Sequence, residues 1–323
     1  MSENGNTEIP TRHTEANSPP YVAEILARND SLFSHPLDST EFRDTLNSWT
    51  SSINSRLTLL RGNVDVPPSV SVVIPAKDET HNILPLLESL ANQDSTESME
   101  VVVAANNCSE GDMTAEIARA SGAKVFEYSN LDRAKHSPIT LARQNGLEDI
   151  EGEIIVSTDA DVIAPPSWVR VVTKPLDDPA KSVVAGGIKH YRANRTIRMH
   201  DLGTRLARRA SLAAGMLGRF GIEPKRANQM AGGANMAFRK KDAIEIGGYD
   251  FSIPVGEDSK MGNTLAKIGD VKLIQDDSAT VYVSPRRIEH ASKRDLAKGR
   301  IWGFRKLYLD ENDQLIDYRD EVK

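Results

Sequence analysis

A single cysteine, Cys108, occurs among 323 residues. One thiol excludes an intramolecular disulfide and any cysteine-based zinc site. No apolar run reaches the roughly 18 consecutive positions that a membrane helix needs. The opening MSENGNTEIPTRHTEANSPP has no apolar core of the secretory kind. Basic residues are the minority, 40 Lys and Arg against 46 Asp and Glu. The resulting charge of −6 argues against wholesale nucleic-acid binding while leaving room for a local basic patch. Three nucleotide and hydrolase signatures are also missing. Without G-x-G-x-x-G after the first strand, a dinucleotide oxidoreductase is disfavoured. Without G-x-x-x-x-G-K-[ST] there is no P-loop, and without G-x-S-x-G there is no serine-hydrolase elbow. These absences suggest a cytoplasmic chain that binds no nucleic acid and has no transmembrane segment. It would act on soluble or surface-presented molecules, with contact at a membrane surface still allowed.

What is present reads as globular, with 39% hydrophobic and 27% charged residues. Residues 1 to about 20 are polar and expected to be disordered. A helix is predicted over 39–61, with Asp38 and Glu41 resembling a capping box and Gly62 ending it. Phe42, Leu46, Trp49, Ile53, Leu57 and Leu60 form a stripe that must be buried, on the same chain or across a homodimer. The rhythm then becomes strand, turn, helix. Strands are expected at 69–75, 99–105, 123–128 and 153–159, with helices at 81–92, 112–121 and 138–148. Alternation of this kind implies right-handed βαβ units and an open, mostly parallel sheet flanked by helices. Beyond Asp161 the pattern loosens. Trp168 lies in a helix, 181–191 is a strand with glycines, and a long Arg-rich helix runs from Ile197 to Phe220. A strand or turn at 235–240, a short helix ending in glycines, late strands within 271–283 and a closing helix at 291–309 complete the reading.

Open α/β sheets bind ligands beyond the carboxyl ends of their strands. The first strand delivers Lys77, Asp78 and Glu79 there, the second Asn106 and Asn107, and the fourth Asp159 and Asp161. With SVVIPAKDE (71–79), the Asp159-Ala160-Asp161 signature, AGGANMAFRKKDAIEIGGYD (231–250) and Glu257-Asp258, the chain resembles family 2 glycosyltransferases of the GT-A fold. The resemblance spans about residues 70–283. It implies a catalytic domain at 67–283, with a nucleotide half (67–165) and an acceptor half (166–283), a 1–66 extension and a 284–323 helical tail.

By this resemblance Pro75, Ala76, Lys77, Asp78, Glu79, Asn106, Asn107, Asp159, Ala160 and Asp161 border a UDP- or GDP-sugar donor. Asp161, with Asp159, would hold Mn²⁺ or Mg²⁺, because a hard cation takes one or two carboxylates plus phosphates. The other reading is that both aspartates cap the helix at Pro165-Pro166-Ser167. Asp258 would be the general base of inverting transfer, with Glu257 beside it; a macrodipole-favoured acidic pair is the alternative. Lys135 and Arg143 would meet phosphate or line a solvated helix face. Gly232, Gly233 and Asn235 would shape the acceptor loop or simply turn the chain.

Nine basic residues against two acidic ones lie between Arg192 and Arg226. Arg205, Arg208 and Arg209 flank an apolar face made by Leu202, Leu206, Ala213, Leu217 and Phe220, and suggest an anionic acceptor carrying the hydroxyl; a solvated helix face is the other reading. Three features depart from the family. The second strand ends in AANNCSEGD, the region of the late metal histidine reads VYVSPRR with His290 further on, and KGRIW only faintly echoes a processive signature. Polymer synthesis is therefore not expected. A retaining transferase to a phosphorylated acceptor, a sugar-phosphate nucleotidyltransferase and a non-catalytic scaffold are the competing functions.

Overall fold

The computed structural model describes residues 18–128, 138–218, 232–250 and 256–286, with only the backbone described for 138 and 211–218. Two helices open the described chain, α1 (Pro20–Leu32) and α2 (Thr40–Arg61). Then follow β1 (Val70–Ala76), α3 (Ile83–Ala91), β2 (Met99–Asn106), α4 (Thr114–Ala120), β3 (Lys124–Tyr128), α5 (Pro138–Glu148) and β4 (Ile154–Ser157). The second half contains β5 (Val162–Ile163), α6 (Trp168–Thr173), β6 (Lys181–Gly186), β7 (Ile188–His190) and α7 (Arg195–Gly218). It closes with β8 (Met236–Arg239), α8 (Lys240–Glu245), α9 (Glu257–Leu265), β9 (Asp270–Ile274) and β10 (Val281–Val283). The expected helix at 291–309 lies outside the described residues.

The main sheet has the order β3-β2-β1-β4-β8-β6-β9. Strands β3, β2, β1 and β4 are parallel, as the strand-helix alternation demands, so their carboxyl ends share one edge. β8 enters antiparallel between β4 and β6. Strands β1 and β2 are buried on both faces, which is why they read as continuous apolar runs rather than alternating ones. A small sheet, β5-β10-β7, brings residues 161–163, 188–190 and 281–284 together.

Several expectations need correction. The helix at 40–61 is capped by Ser39, whose hydroxyl accepts from the Phe42 amide; Asp38 does not cap it. Gly62 does end it, at φ 69°. Helix α1 was not anticipated. Its sequence, PYVAEILARNDSL, begins with a proline suited to a first turn, but it is short and adjoins a polar tail. The stripe of α2 joins the hydrophobic core that contains β1, β2 and α3, so it is buried against its own chain. The predicted strand at 181–191 is two strands in two sheets. The Asn235 amide divides them, donating to Gly187 O (2.6 Å) and Ala279 O (2.8 Å) while accepting from Trp168 Nε1 (2.9 Å).

Candidate active site

Arg143, on α5, is the centre of the site. It is only 2% exposed. Its Nη2 donates to Asp159 Oδ1 (2.6 Å), its Nε to Glu257 Oε1 (3.2 Å) and its Nη1 to Ser157 Oγ (2.6 Å). One guanidinium thereby ties the end of β4 to the start of α9, elements that are about 100 residues apart in the chain. Burial alone would lower the pKa of Arg143, but the charges of Asp159, Tyr249, Glu257 and Asp258 raise it above the ordinary guanidinium value. Gly233 is glycine for a direct reason: a Cβ there would collide with the Arg143 guanidinium. Sequence reading placed Arg143 on a phosphate or in solvent. All three of its nitrogens donate to acceptors in the protein interior, so in this structure Arg143 is a buried counter-ion and not an open phosphate contact or a solvated side chain.

Glu257 and Asp258 occupy the first turn of α9, which starts after Gly256 in left-handed conformation (φ 89°). The acidic pair therefore opens a helix, where the macrodipole favours negative charge. Asp258 Oδ2 accepts from Gly233 N and its Oδ1 from Ser259 N, each at 2.6 Å. This fixes its carboxylate at the loop that contains Gly233. Glu257 is buried, and desolvation followed by the Asp258 charge pushes its pKa up to about 7, with Arg143 pulling the other way. A carboxyl raised above its ordinary 4.5 favours folding most at low pH. That contribution is complete below about 4.5 and lost as pH rises through about 7. Denaturant titrations of wild type and Glu257→Gln should therefore diverge across this window. Wild type loses stability relative to the variant as pH rises, and parallel profiles would refute the shift.

Asp161 faces a different cation. Arg286 follows β10 and binds Glu79 bidentately, Nη1 to Oε2 at 2.8 Å and Nη2 to Oε1 at 2.5 Å. The same Nη2 lies 3.2 Å from Asp161 Oδ2. Neither Asp159 nor Asp161 caps α6, which begins without a side-chain cap. Among the described residues, two groups of three metal-ligating side chains approach one another, His190–His200–Asp201 and Asp78–Cys108–Asp112. Neither includes Asp159 or Asp161. Asp159 is thus engaged by Arg143 and Asp161 by Arg286.

The remaining expected positions divide clearly. Pro75 and Ala76 are buried within β1, and Ala160 is buried between the two aspartates. Asp78 (φ 53°) and Asn107 (φ 51°) both adopt the left-handed conformation at the ends of β1 and β2, rare for residues other than glycine and frequent at ligand sites. The Asp78 carboxylate accepts from the Ser109 amide (2.6 Å) and hydroxyl (3.1 Å), joining these two loops. Asn106 is buried, and Lys77 is half-buried beside Asp78. Glu79 is buried and serves Arg286 and Asn82, so it braces the loop and is not open to nucleotide. Asn235 is fully buried and braces the two sheets, so it is no acceptor ligand. Gly232 adjoins it in the same turn. Lys135 lies outside the described residues. Cys108 is half-buried, and burial pushes its thiol up to about 11, which suits a structural residue.

The Arg-rich helix α7 is not one basic patch. Arg208 is 5% exposed and donates to Gly186 O (2.8 Å). Burial pushes its pKa down to about 10 against the opposing pull of Asp258. Arg205 and Arg209 instead line a shallow groove of about 320 Å³ with Leu273, Gln275 and Asp276. Leu202 and Leu206, expected on a core-facing stripe, are 57% and 56% exposed. The helix turns an arginine inward and two leucines outward, a rotation that periodicity alone could not set. Sequence reading also missed Arg286. Its only signal was an arginine following VYVSP, where the related pattern has a histidine.

Residues 71–247, more than half of the chain, match the sequence profile described as Glycosyl transferase family 2. The chain belongs to glycosyl transferase family 2. It is a transferase, and its sheet is of the GT-A type. No curated protein matches it in sequence. Among solved structures it is similar to the mannosyltransferase PcManGT from Pyrobaculum calidifontis, determined with GDP-Man and Mn²⁺. That likeness has a TM-score of 0.51 at 18% identity and covers 89% of this chain and 74% of the other. S. aureus TarS 1-349 in complex with UDP aligns at TM-score 0.49 and 16% identity, covering 76% and 77%. Glucosyl-3-phosphoglycerate synthase from Mycobacterium tuberculosis, with Mn²⁺, UDP-glucose and glycerol 3-phosphate, aligns at 0.42 and 20%, covering 69% and 73%. This family 2 chain shares a fold with PcManGT at an identity that carries no substrate. Among its described residues no helix is long and apolar enough to cross a membrane.

Proposed function

We propose that this chain transfers a glycosyl group from a UDP- or GDP-sugar to a hydroxyl of an anionic acceptor, with inversion. The observation that carries the reading is the placement of Asp258, a carboxylate fixed by the amides of Gly233 and Ser259. It sits one residue from Glu257, which Arg143 joins to Asp159 at the carboxyl edge of the sheet. In the reaction the acceptor hydroxyl oxygen attacks the anomeric carbon and its proton passes to Asp258. The bond from the anomeric carbon to the phosphate oxygen breaks, and its electron pair leaves with the nucleoside diphosphate. Attack from the face opposite the leaving group inverts the centre. The loops after β1 and β2, tied together through Asp78 and Ser109, would receive the nucleotide. The mannosyltransferase complex with Mn²⁺ supports a divalent ion as companion of the donor, although among the described residues neither Asp159 nor Asp161 belongs to a cluster of three ligating side chains. Calorimetry with UDP and GDP, each with Mn²⁺ and with EDTA, tests the donor class. Binding of neither would sink the proposal.

The anionic acceptor rests on Arg205 and Arg209, since Arg208 is turned into the protein. Arg205→Gln/Arg209→Gln should raise the acceptor KM by tenfold or more, about 1.4 kcal/mol, and spare the donor KM. Added salt should mimic part of the loss by screening these exposed charges. An unchanged acceptor KM would remove the anionic requirement. Inward-facing Arg208 makes a contrasting case, because its replacement should lower stability and kcat rather than acceptor affinity alone.

A further inference from the structure

We propose that Arg286 is the built-in counter-ion of Asp161, and that the chain acquires a metal site only when nucleoside diphosphate arrives and frees this carboxylate. The inference rests on the nucleotide-sugar reading for its second half and on geometry for its first. Arg286 is held by Glu79 through two hydrogen bonds, whereas its contact with Asp161 is single and longer, 3.2 Å. Planar guanidinium can serve one carboxylate with its fork and share an edge with another. The carboxylates of Glu79 and Asp161 are both buried, so an uncompensated charge on either would be costly. Arg286 relieves both.

The backbone makes this meeting obligatory. Ser284 N donates to Asp161 O (3.1 Å), so the end of β10 is hydrogen-bonded to the aspartate it neutralises. Val283 pairs with Val162 across the small sheet, which fixes the register. Arg286, two residues past Ser284, is thus delivered to the space in front of Asp161 by sheet pairing. A divalent ion reaching Asp161 alone would have to displace the guanidinium, and it would find no third protein ligand among the described residues. An ion that arrives with a diphosphate brings phosphate oxygens as ligands. The diphosphate also offers Arg286 a new anionic partner, so displacement then leaves neither cation nor anion stranded.

Mn²⁺ titration of the full chain, followed by electron paramagnetic resonance, tests this without any turnover. In the absence of nucleotide, wild type should take up little Mn²⁺, and Arg286→Gln should bind it about tenfold or more tightly than wild type. Misfolding would expose many carboxylates to Mn²⁺ at once, so the gain must depend on Asp161 alone. Adding Asp161→Asn to Arg286→Gln should abolish the gain. If Arg286→Gln leaves buried Glu79 too costly for folding, Glu79→Gln/Arg286→Gln removes that charge pair together and carries the same expectation. Wild type in the presence of UDP or GDP should take up Mn²⁺ to the level of the variant. Equal Mn²⁺ affinity of wild type and variant without nucleotide would overturn the proposal, as would a gain that survives loss of Asp161. If neither nucleoside diphosphate binds, the donor reading fails, while the Mn²⁺-only comparison still decides the role of Arg286.

Discussion

Asp258→Asn is expected to cut kcat by about 10²–10⁴-fold, the usual contribution of a positioned general base. The asparagine is nearly the same shape and cannot accept the acceptor proton, so donor affinity should stay near wild type. One complication follows from the geometry. Both Asp258 oxygens accept backbone amides, from Gly233 and Ser259, and asparagine must point its NH₂ at one of them. A lost hydrogen bond in a part-buried place costs about 1–3 kcal/mol. Rates should therefore be measured well below the variant's melting temperature, with nucleoside diphosphate calorimetry as the control for an intact donor half. The two effects are separable, because local destabilisation would weaken donor binding and kcat together. Retained turnover with normal donor binding would move the base elsewhere, with Glu257 next in line.

The second large effect concerns Arg143. Arg143→Met keeps much of the volume and removes the only cation seen between Asp159 and Glu257 among the described residues. Breaking a buried ion pair by deleting one partner costs about 3–5 kcal/mol, because the remaining charge is left without compensation. Here two carboxylates lose their partner, and Asp258 is close enough to add repulsion. The expected result is a loss of that order in urea-denaturation free energy at pH 8, shrinking towards pH 5 as Glu257 takes up a proton. The sign follows from the raised pKa of Glu257, since a neutral carboxyl needs no counter-ion. Arg143→Lys should recover only part of the loss, as a point charge cannot reach Asp159, Ser157 and Glu257 together. A change below about 1 kcal/mol at pH 8 would show that water compensates the carboxylates and that Arg143 is dispensable to the fold.

These two residues show where sequence reading succeeds and where it stops. Short β-branched runs alternating with helices could only be a parallel sheet, and parallel pairing puts residues 77–79, 106–107 and 159–161 on one edge. The apolar stripe of α2 likewise had to be buried, because its period leaves one face without polar groups. Local pattern could also show that Glu257-Asp258 would open a helix. All of this follows from chain-local physics: periodicity, turn chemistry and the fixed handedness of crossovers.

Which charge meets which is another matter, decided by contacts between residues distant in the chain. Arg143 and Glu257 are 114 positions apart, and Arg286 and Glu79 are 207 apart. No local pattern distinguishes an arginine that binds phosphate from one buried against two carboxylates. The rotation of α7, which sends Arg208 inward and exposes Leu202 and Leu206, depends on what the rest of the fold offers each side. The division of 181–191 into two strands depends on Asn235, more than 40 residues later, reaching into the gap. Sequence alone determined the family, the parallel strands and the edge at which their carboxyl ends meet, since each rests on local order and spacing. Only the tertiary structure decided how the acidic residues are neutralised, because electrostatic pairing in a buried place depends on distance in space and not along the chain.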